Sequence, residues 1–348
     1  MNRHARFIIM ISVALCALVC IMFFAVQPRT LTEAPVQTSA PTQTPAPDAE
    51  PTPEAEPASD AEPTPIPTVD TSGKVAQAIL ENDAQTHAIA AGYANSAWID
   101  GEGRAHIVGD NEYGQCDVSG WPVVTAVALG DRHAVGLTED GSLVFSGDNA
   151  QRQCSLTPTA RVTAIAASSY ASYALQEDGR LVMAGESEVE WGAESVVENA
   201  IAMRASYTHA VVLKNDGTVI AFGSNKRGAC DVDGWTDIMM VDCGYDFTIA
   251  LDSEGTVHVV GQNDYGLEAL DGLTGMSAVA AGATECLAIA PDGHVTAAGS
   301  NYLGQLDVDG WTDIAAVAAG YRHTIGLTKD GQLVGTGDDA FGQLGLYD

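Results

Sequence analysis

Three histidines recur at a fixed spacing in this chain and are the side chains best suited to metal chemistry. His133, His209 and His323 are separated by multiples of 38 residues. Imidazole nitrogens bind zinc when three or four ligands converge on one point. Histidines at one position of separate repeats point outward along different radii, so we expect hydrogen bonding near the first strand of each repeat instead of metal binding. The same position elsewhere holds Asn95, Ala171, Phe247 and Glu285.

Two acidic runs, at 231–237 and 307–313, read Asp-x-Asp-Gly-Trp-Thr-Asp and invite comparison with calcium loops. A calcium loop places oxygen ligands at alternate positions and ends in a bidentate Glu. Both runs lack that spacing and that Glu. We therefore expect turns with carboxylates that face solvent.

The motifs of the common catalytic sites are missing from the sequence. It has no nucleophile elbow, no His-Glu-x-x-His and no phosphate-binding loop. The favoured interpretation is that the chain is not an enzyme and needs no cofactor. The alternative is an enzyme that cleaves or modifies cell-wall sugars with two facing carboxylates, but no pair stands out among the acidic residues.

The cysteines do not form a recognisable metal or disulfide framework. Cys116, Cys154 and Cys230 share one repeat position on different repeats, where we expect buried, unpaired thiols. There is no Cys-x-x-Cys pair to suggest a zinc site. Whether Cys243 and Cys286 pair stays open.

Glycines define the repeat that must position all of these side chains. Two series of seven, each with a step of 38 residues, run through the chain without an insertion. The first comprises Gly103, Gly141, Gly179, Gly217, Gly255, Gly293 and Gly331, and the second Gly109, Gly147, Gly185, Gly223, Gly261, Gly299 and Gly337. A period of this size indicates one supersecondary unit per repeat, which needs its neighbours to complete a core.

Each unit is predicted to be a small antiparallel sheet. Residues 314–319 form an apolar, Ala-rich run typical of a strand buried on both faces. Residues 323–328 and 333–336 flank a Lys-Asp-Gly turn and predict a hairpin, and 305–308 predicts a fourth strand. Seven four-stranded sheets joined by short turns favour an all-β, seven-bladed β-propeller, with the Ala-rich strands at the axis. We expect it to span residues 74–348.

The repeat resembles that of the regulator of chromosome condensation family, in its compact bacterial form. The resemblance rests on the run at 317–334, which includes Ala-Ala-Gly-Tyr-Arg-His, and on Gly-Ser-Asn-Tyr-Leu-Gly-Gln-Leu at 299–306. It implies the propeller fold but not one function, since the family includes an exchange factor, a photoreceptor and an enzyme inhibitor. The sequence departs from the family at the Trp before the second glycine, which other residues replace, and the third repeat is degenerate. Nucleotide exchange is disfavoured because the repeats leave no room for the inserted wedge that the family uses for it.

The N-terminal 73 residues differ in composition from the repeats. Residues 7–26 are apolar except for Ser12, and Arg3 and Arg6 precede them. This predicts a transmembrane signal-anchor over 1–27, in preference to a cleaved signal peptide, with the rest of the chain outside the cytoplasm. Residues 28–73 are rich in Pro, Thr and acidic residues and predict a disordered, extended stalk.

Charge limits the class of partner. The whole chain carries a formal net charge of −31. A field of this sign repels phosphate backbones, so we expect no nucleic-acid partner.

Loop positions on one face of the propeller predict a binding surface. The loops between strands one and two and after strand three emerge together, and half of the fourteen residues at two positions in them are aromatic. Such residues on a rigid scaffold are typical of interface anchors, although some of the rings could instead pack as core. With two adjacent arginines, the predicted binding face comprises Tyr93, Tyr113, Asp131, Arg132, Tyr207, Arg227, Tyr245, Tyr265, Tyr321, Arg322 and Phe341. The leading hypothesis is a cell-surface module that binds a protein, a peptide or a wall polymer.

Overall fold

The computed structural model describes residues 88–189 and 196–346, which form seven antiparallel sheets of three strands each. These residues contain no α-helix and one short 3₁₀ helix, Leu267–Leu270. No helix among them is long and apolar enough to cross a membrane. The predicted anchor (1–27) and stalk (28–73) lie outside the described residues.

Each sheet, or blade, takes its three strands in chain order from one repeat. The innermost strands are β1 (Ile89–Ala91), β4 (Ala126–Leu129), β7 (Val162–Ser168), β10 (Ala200–Ala205), β13 (Ile238–Cys243), β16 (Ala278–Ala281) and β19 (Ile314–Ala319). The middle strands are β2 (Asn95–Ile99), β5 (His133–Leu137), β8 (Tyr170–Gln176), β11 (His209–Lys214), β14 (Phe247–Asp252), β17 (Glu285–Ile289) and β20 (His323–Thr328). The outer strands are β3 (Ala105–Gly109), β6 (Leu143–Gly147), β9 (Leu181–Glu186), β12 (Val219–Gly223), β15 (Val257–Gly261), β18 (Val295–Gly299) and β21 (Leu333–Gly337).

The predicted hairpin between the second and third strands is confirmed. In the seventh blade, Leu327 pairs with Leu333 in an antiparallel ladder. Gly331 between them has a φ of 86°, and its N–H donates to the Thr328 carbonyl over 2.9 Å. A left-handed backbone at this point favours glycine, which accounts for the first glycine series.

The seven blades form a closed ring. Every innermost strand lies against that of the next blade, and β19 of the last blade lies against β1 of the first. The Tyr321 N–H donates to the Gly92 carbonyl over 3.1 Å across this closure. Ile89, Ile325 and Leu346 pack together there, and among the described residues each sheet takes its strands from a single repeat. This is the seven-bladed propeller expected from the period.

The prediction of a fourth strand is wrong. The run after each outer strand folds into consecutive turns, as at 301–308. There the Asn301 amide donates to Asp307 over 3.0 Å, and its oxygen accepts the Leu306 N–H over 2.9 Å. These bonds hold the backbone in a compact loop, so its N–H and C=O groups cannot extend a ladder. The buried end of the run, Val308, packs between its own blade and the next.

Two of the three recurrent histidines join neighbouring blades. His133 Nε2 lies 2.9 Å from Ser172 Oγ, and His209 Nε2 lies 2.9 Å from Thr248 Oγ1, each across 39 residues of sequence. Burial lowers the pKa of both imidazoles to about 4, so they are neutral at pH 7. The structural role expected for them is therefore seen, with its partner on the middle strand of the next blade.

At two other interfaces the residues at the histidine position pack in apolar clusters shared with the next blade. Phe247 shares a cluster with Cys286, and Ala171 shares one with Ala210. Asn95 contacts its own repeat instead, where its amide donates to the Asp110 carbonyl over 2.6 Å. The third histidine, His323, is fully buried, and burial lowers its pKa to about 4.

Glu285 occupies the histidine position in the sixth blade and is fully buried. The Thr284 N–H and O–H donate to its Oε2 over 3.1 and 3.0 Å. Desolvation outweighs these bonds and raises the pKa of Glu285 to about 8. A protonated carboxyl can donate a hydrogen bond, so Glu285 replaces a neutral imidazole with another neutral polar group.

This pKa predicts a pH-dependent stability. Because the folded value lies above the unfolded one, the contribution of Glu285 is complete below about pH 4.5 and is lost as the pH rises through 8. Between pH 5 and pH 8.5, we expect the free energy of unfolding of wild type to fall by about 4 kcal/mol more than that of Glu285→Gln, because the variant has no carboxyl to ionise. Urea unfolding of both proteins at the two pH values measures this. The exposed Glu139→Gln is the control, and an equal pH response of wild type and Glu285→Gln would contradict the assignment.

Candidate binding face and axial cavity

The predicted face is built from two concentric rings of loop residues. The inner ring follows the innermost strands and comprises Tyr93, Asp131, Ser169, Tyr207, Tyr245, Ala283 and Tyr321. The outer ring lies in the loops after the outer strands and comprises Tyr113, Gln151, Val189, Arg227, Tyr265, Leu303 and Phe341. Both rings are on the side of the propeller opposite the hairpins.

Contacts between repeats confirm that the two rings share one face. Arg132 lies over the Tyr113 ring, 4.6 Å from its centroid. Arg227 forms ion pairs with Asp246 and Asp264 at 3.6 and 3.2 Å. An outer loop of one blade therefore meets the inner loop of the next.

Three inner-ring tyrosines contact one another. Tyr93 stacks on Tyr321 with ring centroids 4.6 Å apart, and Tyr245 lies 6.0 Å from Tyr321. Arg322 lies over the Tyr321 ring at 4.7 Å. Tyr207 instead packs edge-on against Tyr170. The alternative that some of these rings pack as core thus holds in part. Tyr207, Tyr245 and Tyr321 are half-buried, whereas Tyr93 is 45% exposed.

Tyr245 reaches across the centre of the inner ring. Burial, and then the Asp131 carboxylate, raise the pKa of this phenol, while a hydrogen bond with Ser169 lowers it. Asp131 is itself largely enclosed, and burial raises the pKa of its carboxyl. A tyrosine of the fifth blade thus approaches residues of the second and third blades.

The outer ring is more exposed than the inner ring, but not all of its residues lie at the surface as expected. Tyr113, Tyr265 and Phe341 are 38%, 49% and 55% exposed, so they remain available to a partner. Val189 is 2% exposed and belongs to the core cluster of the third blade. Tyr302, 91% exposed beside Leu303, was not identified from sequence because the equivalent position is polar or Ala in the other repeats.

Beneath the inner ring, the innermost strands enclose an axial cavity of about 210 Å³. One level of its wall carries Ala90, Ala128, Ala166, Arg204, Asp242, Ala280 and Ala318. Arg204 Nε lies 4.0 Å from Asp242 Oδ1. The Cys243 and Ala281 N–H groups donate to the two Asp242 oxygens over 2.9 and 2.8 Å. The charged pair was not predicted, although Arg204 and Asp242 occupy the same repeat position, 38 residues apart, where the other repeats have Ala.

The carboxylates of the hairpin face have structural partners. Asp140 Oδ1 accepts the Ser142 N–H over 3.1 Å, and Asp252 Oδ1 accepts the Thr256 N–H over 2.8 Å. Within the described residues, no group of three or more His, Cys, Asp or Glu could hold a metal ion.

The five cysteines in this part of the chain are free, including the buried Cys243 and Cys286. Cys116, Cys154 and Cys230 are half-buried, less than the full burial expected.

Comparison with known proteins agrees with this architecture. The family model "Regulator of chromosome condensation (RCC1) repeat" matches residues 124–153, 241–267 and 314–343. Three of the seven repeats thus match the RCC1 repeat, which is consistent with the RCC1-repeat family. A search of curated proteins found no significant sequence match.

Solved structures of other proteins show the same fold. Human WBSCR16 is 17% identical, with a TM-score of 0.59 over 69% of this chain and 86% of that protein. The ectodomain of the Arabidopsis thaliana receptor kinase ACR4 is 16% identical, with a TM-score of 0.62 over 72% and 94%. Prp20p from Saccharomyces cerevisiae is 15% identical, with a TM-score of 0.57 over 77% and 86%. At these identities the likeness is one of fold.

Proposed function

We propose that this RCC1-repeat propeller is an interaction module that binds a protein or peptide on the face formed by the inner and outer rings. The observation that carries the proposal is the set of partly exposed aromatic residues on this face, with Arg132 and Arg322 stacked on two of them. Tyr and Arg dominate binding energy at protein interfaces because they provide a large contact area and directional hydrogen bonds.

The rigidity of the inner ring supports binding. Backbone hydrogen bonds tie its loops together: the Tyr245 N–H donates to Ala283 over 3.1 Å, and the Ala283 N–H to Gly320 over 3.0 Å. Loops fixed in this way lose little conformational entropy when a partner binds.

The stacked arginines are suited to recognition. Neither Arg132 nor Arg322 forms an ion pair within the described residues, although the chain is strongly acidic. Each guanidinium carbon lies over a tyrosine ring, 4.6 Å from the Tyr113 centroid for Arg132 and 4.7 Å from the Tyr321 centroid for Arg322. A planar donor fixed in this way can bind a carboxylate or carbonyl of the partner with little ordering cost.

Structural neighbours favour protein binding over an enzymatic role. Prp20p has been characterised for binding to Gsp1p and histones, and yeast RCC1 (Prp20) has been crystallised with Kap60. RCC1-repeat propellers are generally binding or exchange-factor modules. We extend only the general role, a propeller that binds proteins, to this chain.

The proposal includes an extracytoplasmic location, with residues 7–26 in the membrane and 28–73 as a stalk. It rests on the basic residues before the apolar run and on the Pro-rich, acidic segment after it. Similar propellers also occur as receptor-kinase ectodomains, in Arabidopsis ACR4 and Physcomitrella patens CR4.

The binding face can be tested by affinity capture. Full-length wild type and Tyr93→Ala/Tyr265→Ala would be immobilised and exposed to envelope proteins and wall fragments of the host cell, with quantitative mass spectrometry of what is retained. We expect at least one specific protein to be retained by wild type and reduced at least about tenfold by the double variant.

The matched control is Val123→Ala/Val196→Ala, which removes exposed apolar side chains (56% and 50% exposed) from the hairpin side. It should retain the wild-type partner. Loss of the partner in the control but not in the tyrosine variant would place binding on the other face. Retention of wall fragments alone would favour a polymer-binding module.

Proteolysis of intact cells tests the location. With the wall removed, added protease should cut the stalk and release the folded propeller, because extended segments are cut before folded domains. A propeller that stays protected until the membrane is broken would refute the proposed orientation.

A further inference from the structure

The interface between the fifth and sixth blades contains a second cavity, of about 130 Å³. Tyr245 and Ala283 of the inner ring and Tyr265 of the outer ring line it, and Phe247 forms part of its wall. The inner-ring residue is tyrosine in four of the seven repeats, whereas the sixth blade has the small Ala283 at this position. The small side chain of Ala283 accounts for the space, so the binding face has a recess at this interface.

The interface between the first and second blades shows which group fits against the Tyr265 ring. Tyr113 and Tyr265 occupy the same repeat position, four repeats apart. Arg132 and Thr284 share another position in the same way. Arg132 lies over the Tyr113 ring, 4.6 Å from its centroid. Thr284 is too short for such a contact, and its hydroxyl donates to Glu285 over 3.0 Å. Among the described residues no cation lies over Tyr265, which is 49% exposed. Tyr265 thus lacks the guanidinium that covers its equivalent.

The charges around the cavity favour a cation. Asp246 lines the cavity and is 29% exposed. Arg227 forms ion pairs with Asp246 and Asp264 at 3.6 and 3.2 Å. Because two carboxylates share one guanidinium, one negative charge is left uncompensated. The net charge of −31 on the whole chain attracts a basic partner at longer range.

We infer that this cavity binds an arginine side chain from a basic segment of the protein partner, with the guanidinium over Tyr265 and beside Asp246. A planar guanidinium can stack on an aromatic ring and donate to a carboxylate at the same time. Tyr245 and Phe247 offer apolar walls to the methylene chain of the arginine. The inference rests on the proposed function, since it specifies the chemistry of the partner that the face would bind.

The test is a ligand-observed NMR titration of the full-length protein with a peptide that has one arginine between pairs of glycines and is blocked at both ends. A second peptide has citrulline in place of arginine, which keeps the shape of the side chain without its charge. We expect the arginine peptide to bind at least about fivefold more tightly, because only it makes a cation–π contact. No binding of the arginine peptide, or equal binding of the citrulline peptide, would overturn the inference.

Variants locate the site. Tyr265→Ala removes the ring and Ala283→Tyr fills the cavity, so each should weaken binding of the arginine peptide at least about fivefold. The matched control is Phe341→Ala, which removes a 55% exposed ring at the repeat position of Tyr265 but outside the cavity, and should bind as wild type does. Unchanged binding by Tyr265→Ala, or an equal loss in the control, would refute the assignment. If Ala283→Tyr does not fold, Tyr265→Ala decides.

Tyr93 separates this inference from the proposed function, because it belongs to the binding face but does not line this cavity. Tyr93→Ala should weaken capture of the protein partner and leave binding of the arginine peptide unchanged. Retention of a protein partner that depends on Tyr93, without any binding of the arginine peptide, would refute this inference and leave the proposed function in place.

Discussion

The contact between one blade and the next is the interaction on which the rest of this structure depends. A sheet of three strands cannot bury both of its faces alone, so each blade completes its core with its neighbours. The last interface combines the packing of Ile89 on Ile325 and Leu346 with a backbone hydrogen bond from Tyr321 to Gly92. The hydrogen bond between His209 and Thr248 lies within another of these interfaces and satisfies buried polar groups there.

Ring closure also creates the binding face and the axial cavity. Because every blade meets its neighbour in the same way, equivalent loops gather at one end of the axis and form the inner and outer rings. The same convergence leaves a cavity walled by small residues, since larger side chains would crowd the axis. The loop residues vary from blade to blade, while the scaffold repeats. Recognition can thus change at these positions without affecting the core.

Much of the fold could be predicted from the sequence, because the period and the turn glycines are local signals. The side of the propeller that carries Tyr113 and Arg132 followed from strand order alone. The fourth strand was predicted wrongly, because an apolar run such as that ending in Val308 suits a strand, and the amide of Asn301 that folds it into turns acts outside the periodic pattern. Arg204 and Asp242 lie one repeat apart at the same repeat position, but the sequence does not show the cavity that they line.

Hydrogen–deuterium exchange of the full-length protein, alone and bound to its partner, can locate the binding face. Binding should slow exchange in the inner-ring loop at 92–94, in the outer-ring loop at 110–114, and in the equivalent loops of neighbouring blades. Exchange in the hairpins at 138–142 and 328–332 should not change. Protection confined to those hairpins, with the ring loops unaffected, would contradict the account.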